Sequence, residues 1–430
     1  MDHAHNKLVF CFLMLILSAC SSRSPEEQLI YKIEEKYANL YFNNEPHKRK
    51  VINDLRNYFK THKLNDENID EVHQILSRMN DGHVVMFDDR KEKNQLFRSG
   101  VKFVIGSDLI ESCVECSPAL IKDKYEILEV NNQPFTDFLM NNKYKVAAST
   151  DWGRYYRVTR LLQEKNNNEP TALKLKNTSG KIVNTKLSWK KPSETPLVCV
   201  SGERLAADIF KVHVASLWCD NSEGSGWDRK QVLDNFKKQF DDVMANANEN
   251  DRIILELREN GGGSDEEVEY VLNAFNEKPV QMYHFKYLRK THPGSMKWLV
   301  NYLPFDLSLW SADEFEFTSV DHRPKKTFFK NKLATIISSG CFSSCETIAS
   351  VLKNEKRSMV IGTATHGGSG DPVIFPIKGT HYSINIPTCV NWQEKDIVYE
   401  GVGVQPHISM EQNPKVKEDN LLKAAIDLTQ

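Results

Sequence analysis

From residue 197 onward, apolar runs of strand type alternate with stretches of helical spacing, and this constrains the chain more than any other feature. Residues 208–215 read as a strand and 232–247 as an amphipathic helix. Residues 252–257 form an apolar strand that ends in Gly261-Gly262-Gly263 and leads into an acidic helix start. Residues 332–338 form another strand, which breaks at Ser339-Gly340 and enters a helix running through Leu352. Two further strands follow, at 359–362 and 381–387. Alternation of this type predicts a layered α/β domain over 197–430. No internal repeat interrupts it.

The upstream chain is patterned differently. Leu29, Ile33, Tyr37 and Leu40 recur at helical spacing, as do Val51, Leu55 and Tyr58, then Ile69, Val72 and Leu76. Residues 20–96 are therefore expected to be a helical region built as a small bundle, with Asn65-Asp66-Glu67-Asn68 capping its last helix. Residues 97–190 carry short β-type runs. Within them, Lys124-Tyr-Glu-Ile-Leu-Glu-Val-Asn-Asn-Gln-Pro134 resembles the strand-and-turn segment of PDZ domains, with Asn132 where Gly is usual. The resemblance implies an inserted PDZ-like β-rich domain with a helical insert near 135–165, able to bind a chain end by strand addition. A β-rich spacer without a ligand is the alternative. Residues 191–196, with two prolines, read as a linker.

The first 19 residues are of another kind. His3, His5 and Lys7 precede an apolar run over 8–17 that is too short to span a membrane. Leu17-Ser18-Ala19-Cys20 resembles the lipobox of bacterial lipoproteins, which implies cleavage before Cys20 and acylation of that residue. Ser21 after Cys20 implies retention at the outer membrane, facing the periplasm. The expected location is the cell envelope, reached through a lipid anchor. In an exported chain disulfides persist. Seven cysteines remain after Cys11 and Cys20 are set aside, so at least one thiol is left unpaired within the chain. Cys113-Val-Glu-Cys116 has zinc-knuckle spacing without a second ligand pair, and a local disulfide is the competing reading.

With a net charge of −2, 27% charged residues and no basic stripe, the chain has no electrostatic footprint for nucleic acid. The chemistry resides in two turns. The glycines at 261–263 let backbone amides approach a ligand at a helix start. At 339–346, Ser-Gly-Cys-Phe-Ser-Ser-Cys-Glu, a serine can expose its hydroxyl while the next amide points to the same place. Ser343 also reads as a helix N-cap, with Glu346 three residues on completing a capping box. The local pattern leaves both open.

Five blocks in order settle the comparison: Asp81-Gly82-His83, Arg258 to Gly263, Ser343 to Glu346, Val360 to Gly367 and Glu400 to Pro406. Together they resemble the C-terminal-processing (tail-specific) peptidases. The resemblance implies a crotonase-like α/β catalytic core, an N-terminal helical part and a PDZ-like insertion, with Ser343 as nucleophile. Many members use a Ser–Lys dyad, but Gly368 stands at the Lys position here. The tricorn-like branch has a Ser–His–Glu arrangement, and its positions correspond to His83 and Glu400. His366 is a second candidate base, and His407 stands where the family usually has Asp. The amides of Gly262 and Ser344 are the implied oxyanion donors.

The function expected is a serine endopeptidase acting on polypeptides through an acyl-enzyme, with no metal and no organic cofactor. The alternatives are an inactive peptide- or ligand-binding lipoprotein of the same fold, which Gly368 favours, and an envelope lipoprotein acting through its PDZ-like part alone. Cys341 and Cys345 flank Ser343, where they could form a local disulfide. The aromatic-rich stretch 277–326 is a candidate for substrate contacts or an insertion with its own core. Substrate preference and oligomeric state are not encoded legibly.

Overall fold

A computed structural model describes residues 23–430 except 43–45, 91–96, 105–106, 108, 114–115, 118–123, 166, 192–196, 221–227, 289–311, 319–321, 326–328, 394–398, 414–415 and 417. The leader and Cys20 lie outside the described residues, as do most of the 191–196 linker and the centre of the 277–326 stretch.

The core is a six-stranded sheet in the order Val200–Ala206, Ile209–Val214, Arg252–Glu256, Leu333–Ile337, Met359–Gly362, Ile408–Ser409. The first pair is antiparallel and every later pair is parallel. Both faces are covered, as parallel strands require. Ile253, Leu255 and Leu257 meet the helices Arg229–Met244, Asp265–Phe275 and Ser344–Asn354 on one side. Ile254, Ala334 and Ile336 meet the helix Asn420–Leu428 on the other. The mixed α/β class read from the sequence is the observed one.

The helices Pro25–Lys36, Pro46–Tyr58 and Ile69–Leu76 bury the apolar stripes read from their spacing. They are not a free-standing bundle, however. Their core is completed by Ile377, Tyr382, Ile384 and Ile386, in or next to a three-stranded antiparallel sheet of Val85–Asp88, Tyr382–Pro387 and Pro372–Pro376. This sheet joins the two ends of the chain and carries His83 to the C-terminal core. Sequence spacing shows which helical face is buried, but not what buries it.

Residues 97–190 form a separate β-rich unit with its own core around Ile110, Ile127, Leu173 and Leu175. Its strand Tyr125–Val130 turns through Asn131 and Asn132, both at positive φ (49° and 63°). Two helices, Phe135–Asn142 and Asp151–Arg160, follow. Cys116 is disulfide-bonded, which removes the zinc-knuckle option for that sulfur. Among the described residues no helix is long and apolar enough to cross a membrane.

Candidate active site

The strand Leu333–Ile337 ends at a tight turn, and Ser343 sits at the N-cap of the helix Ser344–Asn354. Its φ of 58° is uncommon for a residue with a side chain and is held by its surroundings. A disulfide between Cys341 and Cys345 brackets it, with Cα atoms 5.5 Å apart. The Phe342 amide donates to the Asn260 carbonyl at 3.0 Å. The Ser343 amide donates to Glu346 Oε2 at 2.9 Å. Glu346 also accepts from the amides of Gly367 and Gly368, each at 2.8 Å, and from Thr365 Oγ1 at 2.5 Å. One buried carboxyl thus ties the serine turn to the 365–368 turn. Burial pushes it up to about 7, against four donors that each favour the ionised form. The capping and nucleophile readings of Ser343 are compatible, because the helix start aims the hydroxyl outward.

That hydroxyl lies 3.1 Å from His83 Nε2. The imidazole stacks on Phe342, with ring centroids 4.4 Å apart. Burial lowers its pKa to about 4, partly countered by Asp81 and assisted by Arg157, so the ring is neutral at pH 7. With Nε2 facing the hydroxyl as acceptor, the ring proton belongs on Nδ1. Nδ1 and Glu400 Oε1 are both buried without a partner among the described residues. Asp81, His83 and Glu400 offer atoms within 4.8 Å of one another. Glu400 is therefore beside His83 but not in direct hydrogen bond with it. Glu400 Oε2 accepts from the Ser369 amide at 2.9 Å. Burial and the Asp81 charge raise the Glu400 pKa well above the carboxylate range, while Lys48 and the Ser369 amide pull it back. Although these three residues could surround a cation, Asp81 already accepts from Tyr37 Oη, Asn39 Nδ2 and the His83 amide.

Gly368 has a steric explanation. A Cβ there would lie 1.9 Å from the Phe342 ring, so Phe342 fills the space a lysine side chain would enter. His366 makes no hydrogen bond to Ser343 among the described residues. Its ring meets Phe342 edge-on at 4.7 Å, and its Nδ1 lies 3.1 Å from the Ser339 carbonyl. Burial drives its pKa well below the ordinary value. His407 Nδ1 accepts from the Val360 amide at 3.1 Å, a role within the sheet edge.

Of the two amides expected as oxyanion donors, one is already engaged. The Gly262 amide donates to Asn260 Oδ1 at 2.8 Å and is engaged. Gly262 serves instead by its missing side chain, since a Cβ would lie 2.9 Å from that of Ser343. The amides of Gly263 and Ser344 have no acceptor among the described residues, and both residues line a cavity with Ser343. Arg258 and Asn260 hold the Gly loop. Arg258 pairs with Glu256 at 2.5 Å and Asp419 at 2.6 Å, and Asn260 Nδ2 donates to the Val214 carbonyl at 2.9 Å.

Residues 220–410 match the model of peptidase family S41. Within that span the chain is similar to the serine-type peptidases of family S41. The matched span contains Ser343 and Glu400, while His83 reaches the S41 core from the N-terminal side. Solved structures similar to the whole chain include mature CPAF complexed with lactacystin, at 15% identity and TM-score 0.65, covering 94% of this chain and 96% of that one. A putative peptidase from Parabacteroides merdae gives 14% identity and TM-score 0.52, covering 95% and 97%. The photosystem II D1 C-terminal processing protease gives 12% identity and TM-score 0.50, covering 94% and 96%. At these identities the likeness concerns the fold. No curated protein sequence is similar enough to count as a match.

The sequence reading missed several groups around the S41 site. Phe342 left no signal. Arg157, from the β-rich unit, donates to the carbonyls of Gly82 at 2.9 Å and Ala147 at 2.5 Å and lies over the Phe342 ring. Lys48 is fully buried near Glu400. It did leave a signal: it lies in helical register with Val51, Ile52 and Leu55, where a solvated lysine does not belong.

Proposed function

We propose that this peptidase is an endopeptidase that hydrolyses polypeptides through an acyl-enzyme on Ser343, with His83 as base and Glu400 as its carboxylate partner. The observation that carries the reading is the 3.1 Å contact between His83 Nε2 and Ser343 Oγ. His83, neutral at pH 7, takes the Ser343 proton as Oγ attacks the peptide carbonyl. The amides of Ser344 and Gly263 receive the developing oxyanion. His83 then returns the proton to the leaving amine, and water repeats the sequence to release the acyl group. The imidazolium that forms is stabilised by Glu400 in its carboxylate form, and its positive charge in turn favours that form. Phe342 and Arg157 keep the ring in place and dry.

Placement of this activity at the cell envelope, through a lipid on Cys20, belongs to the same proposal and rests on the Leu17-Ser18-Ala19-Cys20 segment. So does the PDZ-like role of 97–190 in holding a chain end. The rival, an inactive binding protein, draws on Gly368 and on the gap between His83 and Glu400. It leaves the hydrogen-bonding distance between His83 and Ser343 without a purpose. The test is to quench the enzyme during turnover of an activated peptide ester and digest it. An acyl adduct on the peptide containing Ser343 is expected, and turnover with no adduct in wild type or in a slow-deacylating variant would refute the covalent route.

A further inference from the structure

A cavity of about 220 Å³ opens directly beside Ser343. Ser343, Ser344 and Ser369 form its catalytic side, and Asp265, Tyr283 and Asp371 line it further along. No lysine, arginine or histidine lines it among the described residues. Asp265 sits at the first position of the helix Asp265–Phe275. Its Oδ2 accepts from Tyr283 Oη at 2.6 Å, and its Oδ1 accepts no hydrogen bond among the described residues.

Two of the neighbouring acids differ from Asp265 in sharing a cation. Glu266 and Glu267 share Arg229, and Glu269 faces His322 at 3.5 Å. Among the described residues Asp265 has the tyrosine alone. Burial, together with the charges of Asp371, Glu269 and Glu266, pushes its carboxyl up to about 6. A half-buried carboxyl with one open oxygen, crowded by like charge and placed at the wall of the cleft, meets no cation among the described residues. An apolar side chain in this cavity would strip that oxygen of water and return nothing.

We infer that this cavity is a specificity subsite that takes a lysine or arginine side chain of the polypeptide at a residue flanking the scissile bond, with Asp265 as its counter-ion. The inference rests on the proposed peptidase reading, since it is Ser343 that makes the cavity a subsite. Tyr283 holds one carboxylate oxygen, leaving the other for the incoming ammonium or guanidinium. The polar wall of Ser369 and Asn391 accommodates the remaining donors.

The test compares peptides that differ only in lysine, arginine, norleucine or glutamate at one flank of the cleaved bond, placed in turn on each side. On one side, kcat/KM for lysine or arginine is expected to exceed that for norleucine by about 10²-fold, with glutamate worst. In Asp265→Asn that ratio is expected to fall to within a few-fold; a melting curve establishes that the variant is folded, and Asp265→Ala serves if it is not. Binding of the same peptides to Ser343→Ala separates the two proposals. Turnover by wild type with no preference for a cation at either flank would overturn the subsite and leave the peptidase reading intact. No turnover by wild type, with lysine peptides still bound more tightly than norleucine peptides by Ser343→Ala, would overturn the peptidase reading and leave a cation-binding cleft.

Discussion

At the residue scale the proposed mechanism depends on excluding water from a neutral imidazole. His83 is buried among Phe342, Arg157 and the Asp81–Glu400 pair, and burial dominates, bringing its pKa from the ordinary 6.5 to about 4. The base must be unprotonated to accept the Ser343 proton, so activity is lost as pH falls through the folded-state value. The acid limb of kcat/KM is expected near pH 4, well below the limb an exposed histidine would give. The same depression contributes to stability. The contribution is complete above about pH 6.5 and is lost as pH falls toward 4, because the unfolded chain takes up a proton that the folded site resists. A limb near 6.5, measured on a substrate without titrating groups, would contradict the dry-site account. Gly368 fits the same picture. Where a Ser–Lys enzyme would place its amine, this chain places the ring on which its histidine stacks.

At the element scale, the turns around Ser343 and His83 are held by pieces far apart in sequence. The helix Asp151–Arg160 begins with Thr150 Oγ1 donating to the His366 carbonyl at 2.8 Å, and its Arg157 donates to the Gly82 carbonyl. It thus links the β-rich unit to both the His83 turn and the 365–368 turn. Replacing Arg157 by Met leaves two buried carbonyls without their donor, an expected cost of about 1–3 kcal/mol in denaturant unfolding. Because the guanidinium also lowers the His83 pKa, the acid limb of the variant is expected to move up toward neutrality. A stability loss with an unmoved pH profile would mean that Arg157 supports the fold alone. The elements themselves were largely legible. The strands at 252–256 and 333–337, the helix after Ser343 and the stripes of the N-terminal helices follow from apolar periodicity. Ser343, His83 and Glu400, each named from a short block, lie close together in the structure. What the sequence could not show were the contacts that cross the site. The commitment of the Gly262 amide to Asn260, the steric closure at Gly368 and the arrival of Arg157 from another unit are products of packing, and no local spacing records them.

At the scale of the whole molecule, the S41 core is incomplete without its N-terminal part. The three-stranded sheet that seats His83 includes Tyr382–Pro387, and its apolar face is covered by the first helices. A chain limited to residues 197–430 would expose Ile377, Tyr382, Ile384 and Ile386 and would lack His83, the proposed base. It is expected to aggregate or to melt without a cooperative transition, and a soluble, cooperatively melting fragment would refute this view of the architecture. The central claim is that His83 activates Ser343. It is tested most directly by labelling purified full-length protein with a fluorophosphonate probe, comparing wild type with Ser343→Ala, His83→Ala and Glu400→Gln. The account expects labelling of wild type, none in Ser343→Ala, a loss of roughly 10³-fold or more in rate in His83→Ala, and a smaller loss in Glu400→Gln. Labelling that persists at the wild-type rate in His83→Ala, or a folded wild type that is not labelled at all, would contradict it.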